Sequence, residues 1–148
     1  MHTTNNPGFR DTILAHLERQ EFMKAIGATL TSIELGKVIA EIPLEKMHQQ
    51  QIGLVHGGVT ATIADIAAGF AGFTLVGPDE HTVTAEIKVS YLRPAKGIML
   101  KAIGSVIKQG RTMHFCEAYV YCINEQGDEE LIAHATTTMA IIKPGIKG

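Results

Sequence analysis

The 148-residue chain has only two cysteines, no excess of charge of either sign and no long uninterrupted apolar run. Two cysteines are too few for a disulfide framework, which favours a reducing compartment. Thirteen basic residues stand against fifteen acidic ones, for a formal charge of −2. Because nucleic-acid binding requires a basic excess or a basic patch, this balance argues against that class of protein.

The most apolar stretch, residues 59–77, contains a carboxylate near its start, at Asp65. The twelve uncharged residues that follow, Ile66–Gly77, are too few to span a bilayer. The N-terminal segment also lacks the basic-then-apolar order of a secretory signal peptide. Since 45% of the residues are apolar and 19% charged, we expect one globular, cytoplasmic domain over 1–148, with a helical segment at 1–26 and a tail at 143–148.

The first third of the chain predicts one short helix followed by a β segment. Asp11 is placed to cap a helix that continues to about Lys24. The pattern then changes to that of β-strands, with a break at Gly36. The segments Thr29–Leu35 and Lys37–Leu44 are expected to form either a pair of strands or one long bent strand, and a polar loop follows over 45–55.

A run of mostly small and apolar residues from Val59 to Leu75 predicts a central helix, which Gly77-Pro78-Asp79 ends. The run is apolar on every side, so as a helix it must be surrounded by protein. A buried strand is the alternative, although the length of the run favours a helix. Small residues make this helix thin enough for a sheet to wrap closely around it: Ala61, Ala64, Ala67, Ala68, Gly69, Ala71 and Gly72.

The remainder of the chain predicts strands joined mainly by hairpins. Alternation within Thr82–Leu92 defines two faces, one with Val83, Ala85, Ile87, Val89 and Tyr91, the other with Thr82, Thr84, Glu86, Lys88 and Ser90. Three further strands are predicted at Ile98–Ile107, Thr112–Ile123 and Glu130–Ile142, with turns at 108–111 and 124–128. One buried helix with five or six strands indicates an α+β fold in which an antiparallel sheet surrounds the helix.

Several kinds of site are excluded because their motifs are missing. There is no G-x-S-x-G motif, no phosphate-binding P-loop and no histidine pair at metal-ligand spacing, so we expect neither a metal nor a cofactor. Cys116 and Cys122 are separated by about 20 Å on one predicted strand, too far for a disulfide, and we expect both to pack in the core. We expect structural roles for His114 and His134, which lie in strands.

One segment contains residue types that can take part in catalysis or ligand binding. It consists of His56-Gly57-Gly58 followed by Asp65. Two glycines at a helix start leave the N–H groups of Gly57 and Gly58 open to a ligand oxygen, at the positive end of the helix dipole. His56 either orients a neighbouring group or caps the helix. Asp65 lies on an apolar helix, where burial of a carboxylate costs folding free energy unless the group is paired or protonated or has a function. The alternative is a buried aspartate that is hydrogen-bonded to backbone.

Gly57 and Asp65 are about 12 Å apart along a helix, at roughly 1.5 Å per residue. Because of this distance, one chain cannot bring both residues to the same carbonyl group. If they act together, a second copy must supply one of them. An antiparallel pair of such helices across a two-fold axis brings Gly57 of one copy beside Asp65 of the other, which gives two sites per dimer.

Together with the later segment Tyr91-Leu92-Arg93-Pro94-Ala95, these motifs resemble the hotdog-fold acyl-CoA thioesterases, specifically the phenylacetic-acid-degradation (PaaI) type and the animal THEM family. The resemblance extends from the N-terminal helix to the strand that ends near Ile142. It implies a curved antiparallel sheet around a helix, assembled into homodimers and often into homotetramers that are dimers of dimers. It also implies hydrolysis of an acyl-CoA or aryl-CoA to the free acid and coenzyme A.

The resemblance implies roles for particular residues. The Gly57 N–H polarises the thioester carbonyl, and His56 shapes that part of the site. Asp65 of the partner chain acts as nucleophile or general base, and Thr84 helps to hold the attacking water. Gln50 stands where the resembling animal enzymes often have asparagine, and it keeps the amide with one more methylene.

Coenzyme A carries phosphates, and three basic residues at predicted strand ends are candidates to bind them, Arg93, Lys108 and Arg111. A solvated basic rim explains each of them equally well. Phe70 and Phe73 are candidates for an acyl or aryl pocket, with core packing as the alternative.

Two other functions compete with thioester hydrolysis. Hotdog hydratases and dehydratases carry a catalytic histidine with an acidic partner in other motifs, which this sequence lacks. A non-catalytic hotdog module that binds acyl-CoA has no need for a carboxylate on an apolar helix, so Asp65 argues against it.

Overall fold

The computed structural model describes residues 1–145 and contains three α-helices, one 3-10 turn and a six-stranded sheet. The helices are α1 (Phe9–Leu17), α2 (Glu21–Ile26) and α3 (Gly57–Phe73), and the turn is Lys46–His48. The strands are β1 (Thr29–Glu34), β2 (Lys37–Pro43), β3 (His81–Tyr91), β4 (Met99–Gln109), β5 (Met113–Ile123) and β6 (Glu129–Ile142). No helix in this part of the chain is long and apolar enough to cross a membrane.

The six strands form one antiparallel sheet in the order β1-β2-β4-β5-β6-β3. All six contact α3, so the sheet wraps around this helix. The predicted α+β fold, a hotdog with a central helix, is therefore confirmed. Residues 146–148 of the predicted tail lie outside the described residues.

The N-terminal segment differs from the prediction of a single helix capped by Asp11. It forms α1 and α2, with a break over residues 18–20. Gly8 precedes α1 without a side-chain cap, and Asp11 lies in the first turn, where its charge favours the positive end of the helix dipole. The two helices pack in different parts of the core. Ile13 of α1 is buried with Phe73 and Val76, whereas Met23 of α2 is buried in the larger cluster that includes α3 and the sheet.

The helix α3 is thin, as predicted, and lies so close to the sheet that one strand position must be glycine. Ala67 and Ala68 are fully buried in this contact. A Cβ at Gly104, in the middle of β4, would lie 2.5 Å from the backbone nitrogen of Ala68 and even closer to the carbonyl of Ala67. The backbones of β4 and α3 therefore touch, which fixes the distance between helix and sheet.

The prediction that protein surrounds α3 on every side is wrong for a single chain. The open face of α3, defined by Thr62, Asp65, Ile66, Gly69 and Phe70, is only half-buried. The sheet covers the other side of the helix. The carboxylate at position 65 is therefore not enclosed in the core.

The strand β3 lies at an edge of the sheet and pairs only with β6. Its register shifts at Ala85, a β-bulge, which adds one residue and so moves the later side chains to the other face. Thr84 before the bulge and Tyr91 after it both hydrogen-bond to α3, and Val89 after it packs against the core. The prediction that Thr84 shares a face with Glu86, opposite Tyr91, is therefore wrong.

The backbone contact at Gly104 predicts the effect of adding one methyl group there. We expect Gly104→Ala to destabilise the protein by the upper end of the ~1–3 kcal/mol that is typical of overpacking, or by more, because the three nearest atoms all belong to the backbone. Urea unfolding measures the change. The matched control is Gly72→Ala, where a Cβ makes only ordinary contacts of 3.5 Å and longer with side chains and gains up to about 1 kcal/mol of helix propensity. Equal stability of the two variants would contradict the close contact.

Candidate active site

The N-terminal end of α3 has a free hydrogen-bond donor at Gly57. His56 caps the helix, because its Nδ1 accepts a hydrogen bond of 2.8 Å from the N–H of Gly58. The expectation that the Gly58 N–H is open to a ligand is therefore wrong. Gly57 is the first helical residue, so its N–H has no acceptor within the helix. It donates to no other atom of the described chain.

Tyr91 holds this end of α3 from the side of β3. Its hydroxyl donates a hydrogen bond of 2.8 Å to the carbonyl oxygen of Gly57. The ring lies so near that a Cβ at position 57 would be 3.3 Å from the Tyr91 Cε1 atom. The sequence signals this contact only through the Tyr-Leu-Arg-Pro-Ala segment, which does not identify the acceptor.

His48 stabilises the loop that leads into α3, a role that nothing in the surrounding sequence predicts. The side chain is buried, and its Nδ1 accepts a hydrogen bond of 2.9 Å from the N–H of Glu45. The proton therefore lies on Nε2, which donates to the carbonyl of Ile26 at 2.8 Å. The carbonyl of His48 in turn accepts from the N–H of His56. The residue before Gly57 is thus tied to the end of α2.

Asp65 and Thr84 form a second part of the candidate site. The Thr84 hydroxyl donates a hydrogen bond of 2.7 Å to Oδ1 of Asp65. Both face a hollow of about 280 Å³, to which Phe22, Phe70 and Phe73 also contribute. No basic side chain pairs with Asp65 among the described residues. The alternative of a buried aspartate bonded to backbone is wrong, since its partner is a hydroxyl and it faces a hollow.

A single chain keeps these two parts of the site separate. Gly57 lines another hollow, of about 400 Å³, together with Gln50 and Arg93. Because α3 is continuous over this region, the distance of about 12 Å between Gly57 and Asp65 applies. The fold thus groups Gln50 and Arg93 with Gly57, and Thr84 with Asp65.

The three basic residues expected to meet coenzyme A lie near opposite ends of α3. Arg93 forms an exposed ion pair at the hollow that contains Gly57. Lys108 and Arg111 lie at the β4–β5 turn, at the end of the sheet that packs on Gly72. Gly72 is about 22 Å along α3 from Gly57. One chain therefore does not bring the three basic residues together.

The histidines and cysteines of β5 and β6 lie outside both hollows. Burial raises the pKa of the Cys116 thiol to about 12 and also raises the pKa of Cys122, so neither is a thiolate near neutral pH. Burial lowers the pKa of His114, and His134 pairs with Glu117 at 2.9 Å. The described residues contain no cluster of three or more potential metal ligands.

Comparison with known proteins identifies the family. Residues 52–129 match the family model of the thioesterase superfamily. Human acyl-coenzyme A thioesterase 13 is 33% identical over 115 residues, which are 76% of this chain and 81% of that protein. The chain belongs to the thioesterase superfamily, and the predicted class of enzyme, a thioester hydrolase, is confirmed.

Solved structures agree with this assignment. A thioesterase family protein from Silicibacter pomeroyi is 31% identical, with a TM-score of 0.89 over 92% of this chain and 99% of that chain. The E. coli PaaI protein superposes with a TM-score of 0.81 over 94% of this chain and 96% of that chain. At 19% identity the latter likeness shows the shared fold.

The environment of Asp65 predicts the effect of removing its charge. We expect Asp65→Asn to lower kcat for thioester hydrolysis at least ~100-fold, because the shape is kept while a base or nucleophile is lost. A thiol-release assay measures this loss, and Asp79→Asn, at an exposed carboxylate outside this hollow, serves as the matched control. An unchanged kcat in folded Asp65→Asn would show that Asp65 is structural.

Proposed function

We propose that this chain hydrolyses acyl-CoA or aryl-CoA thioesters at a site formed by two copies, Gly57 from one and Asp65 from the other. The observation that carries the proposal is the division of the site. Among the described residues, the Gly57 N–H has no acceptor and the Asp65 carboxylate has no basic partner, and the two line different hollows. A human relative that is named an acyl-coenzyme A thioesterase supports the substrate class.

The proposed reaction places the thioester carbonyl oxygen at the N–H of Gly57, beside the positive end of the α3 dipole. As general base, Asp65 removes a proton from water while the water oxygen bonds to the carbonyl carbon. The carbon–sulfur bond then breaks, and coenzyme A leaves as a thiolate that takes up the proton. As nucleophile, an oxygen of Asp65 instead bonds to the carbonyl carbon, and the carbon–sulfur bond breaks to give an anhydride and the coenzyme A thiolate. Water then hydrolyses the anhydride, which releases the acid, restores the Asp65 carboxylate and supplies the proton that the thiolate takes up. Both routes release one acid and one coenzyme A.

Thr84 and Gln50 have supporting roles in this proposal. The Thr84 hydroxyl hydrogen is directed at Asp65, so its oxygen is left as an acceptor for the attacking water. Gln50 lines the Gly57 hollow, so in this proposal its amide hydrogen-bonds to the thioester. His56 shapes the site indirectly, since it caps α3 through Gly58.

The edge strand β3 supports pairing of two copies. It is eleven residues long, and Val83 and Ile87 on it are exposed. A long edge strand with exposed apolar side chains is a template for pairing with another strand. Antiparallel pairing of β3 with β3 of a second copy across a two-fold axis sets the α3 helices antiparallel, as the shared site requires.

Further contacts of this assembly follow from the same symmetry. In the antiparallel arrangement, the Gly72 end of one α3 approaches the Gly57 end of the other. Lys108 and Arg111 of one copy then join Arg93 of the second around the coenzyme A phosphates.

Exposed Phe115 and Tyr119 on the outer face of the sheet offer a surface for a dimer of dimers. We place the enzyme in the cytoplasm, in keeping with its free, buried cysteines.

The oxyanion role of Gly57 predicts a difference between two substitutions at one position. Gly57→Pro removes the N–H, and the backbone accepts it, because proline suits the first helical position and His56 has φ −65° and ψ 133°. We expect a loss of ~100- to 1000-fold in kcat. Gly57→Ala keeps the N–H and adds the same Cβ beside Tyr91, so it is the matched control. Equal kcat values for the two variants would exclude the oxyanion role.

The shared site predicts recovery of activity in a mixed dimer. Asp65→Ala and Gly57→Pro, each inactive alone, are co-expressed with different affinity tags and the mixed dimer is isolated through both. One of its two sites combines an intact Gly57 with an intact Asp65 from opposite copies, so we expect about half of wild-type activity. Random subunit exchange gives about a quarter, because about half of the dimers are mixed. No recovery in a mixed dimer verified by native mass spectrometry would contradict the shared site.

A further inference from the structure

We infer that Gly69 determines the size of the acyl group that this chain accepts, an inference that rests on the proposed function. Gly69 lies on the open face of α3, one turn and about 6 Å beyond Asp65. It lines the same hollow as Asp65. Glycine inside a helix costs about 1 kcal/mol relative to alanine, so its presence there needs a physical reason.

The packing of the single chain does not supply that reason. A Cβ at position 69 would have one neighbour within 4 Å, the Cε atom of Met139 at 3.6 Å, which is an ordinary van der Waals contact. The backbone of Gly69 is not in the left-handed region that favours glycine. Its packing differs from that of Gly104, where a Cβ collides with backbone. Alanine therefore fits the fold at position 69.

The missing side chain instead leaves space beside the carboxylate. The strand β3 crosses α3 so that Thr84 contacts Asp65, while the Thr82 hydroxyl lies 3.4 Å from the carbonyl oxygen of Gly69. Phenylalanine rings from the C-terminal half of α3 form an apolar wall further along the hollow. An acyl group whose carbonyl carbon lies beside Asp65 must pass the backbone of Gly69 to reach that wall.

Side chains of increasing size at position 69 test this inference. Wild type, Gly69→Ala and Gly69→Val are compared by kcat/KM on straight-chain acyl-CoAs from acetyl-CoA to palmitoyl-CoA, and on benzoyl-CoA and phenylacetyl-CoA. We expect about tenfold or greater loss with valine, and a smaller loss with alanine, only for acyl groups that extend past position 69. Acetyl-CoA, whose acyl group is too short to reach it, keeps its wild-type kcat/KM in both variants. Gly72→Ala, on the sheet-facing side of α3 and outside the hollow, controls for the gain in helix propensity.

The outcomes separate this inference from the proposed function. An equal loss on every substrate, or no loss on any, overturns the role of Gly69 and leaves thioester hydrolysis standing. Dissociation of Gly69→Ala dimers, measured by native mass spectrometry, also overturns it, because glycine would then serve contact between copies. If the wild type hydrolyses no member of the series, the proposed function fails, and this inference fails with it.

Discussion

Where β4 crosses α3, backbone meets backbone at Gly104, and the remaining architecture follows from this contact. It brings the sheet close enough for all six strands to reach a single helix. The alanines on the sheet-facing side of α3 make such an approach possible because they add almost no side-chain bulk. The sheet curves around one side only, so the opposite side of α3 is left half-buried.

The open face gives the candidate site its chemical character. A carboxylate in a closed core would be neutralised or paired, whereas Asp65 lies beside a hydroxyl in a hollow that has room for a ligand. The same helix directs the Gly57 N–H out of its N-terminal end. Because an α-helix is rigid over two turns, the two groups remain about 12 Å apart in a single chain.

Local signals in the sequence predicted most of the elements correctly. Gly36 separates β1 from β2 with a φ of 73°, as its position between two alternating segments indicated. The errors arose where contacts between distant residues override a local pattern. The N-terminal segment divides into α1 and α2, whose buried residues Ile13 and Met23 pack in separate apolar clusters. The sequence did not predict the bulge at Ala85, because both faces of β3 are largely exposed. The alternation of apolar and polar residues in β3 therefore does not show which face packs on the core of this chain.

The sequence by itself determined the fold class, the central helix and the spacing of two helical turns between Gly57 and Asp65. These properties depend on hydrophobic periodicity and on distance along one helix, both of which are local. Only the tertiary structure decided that the Gly58 N–H is hydrogen-bonded to His56 and that Thr84 is hydrogen-bonded to Asp65. It also decided that Tyr91 and His48 hold the start of α3 in place. Each of these contacts depends on the conformation of loops and side chains, and most connect residues that are far apart in the chain. Helical or strand periodicity does not encode such contacts.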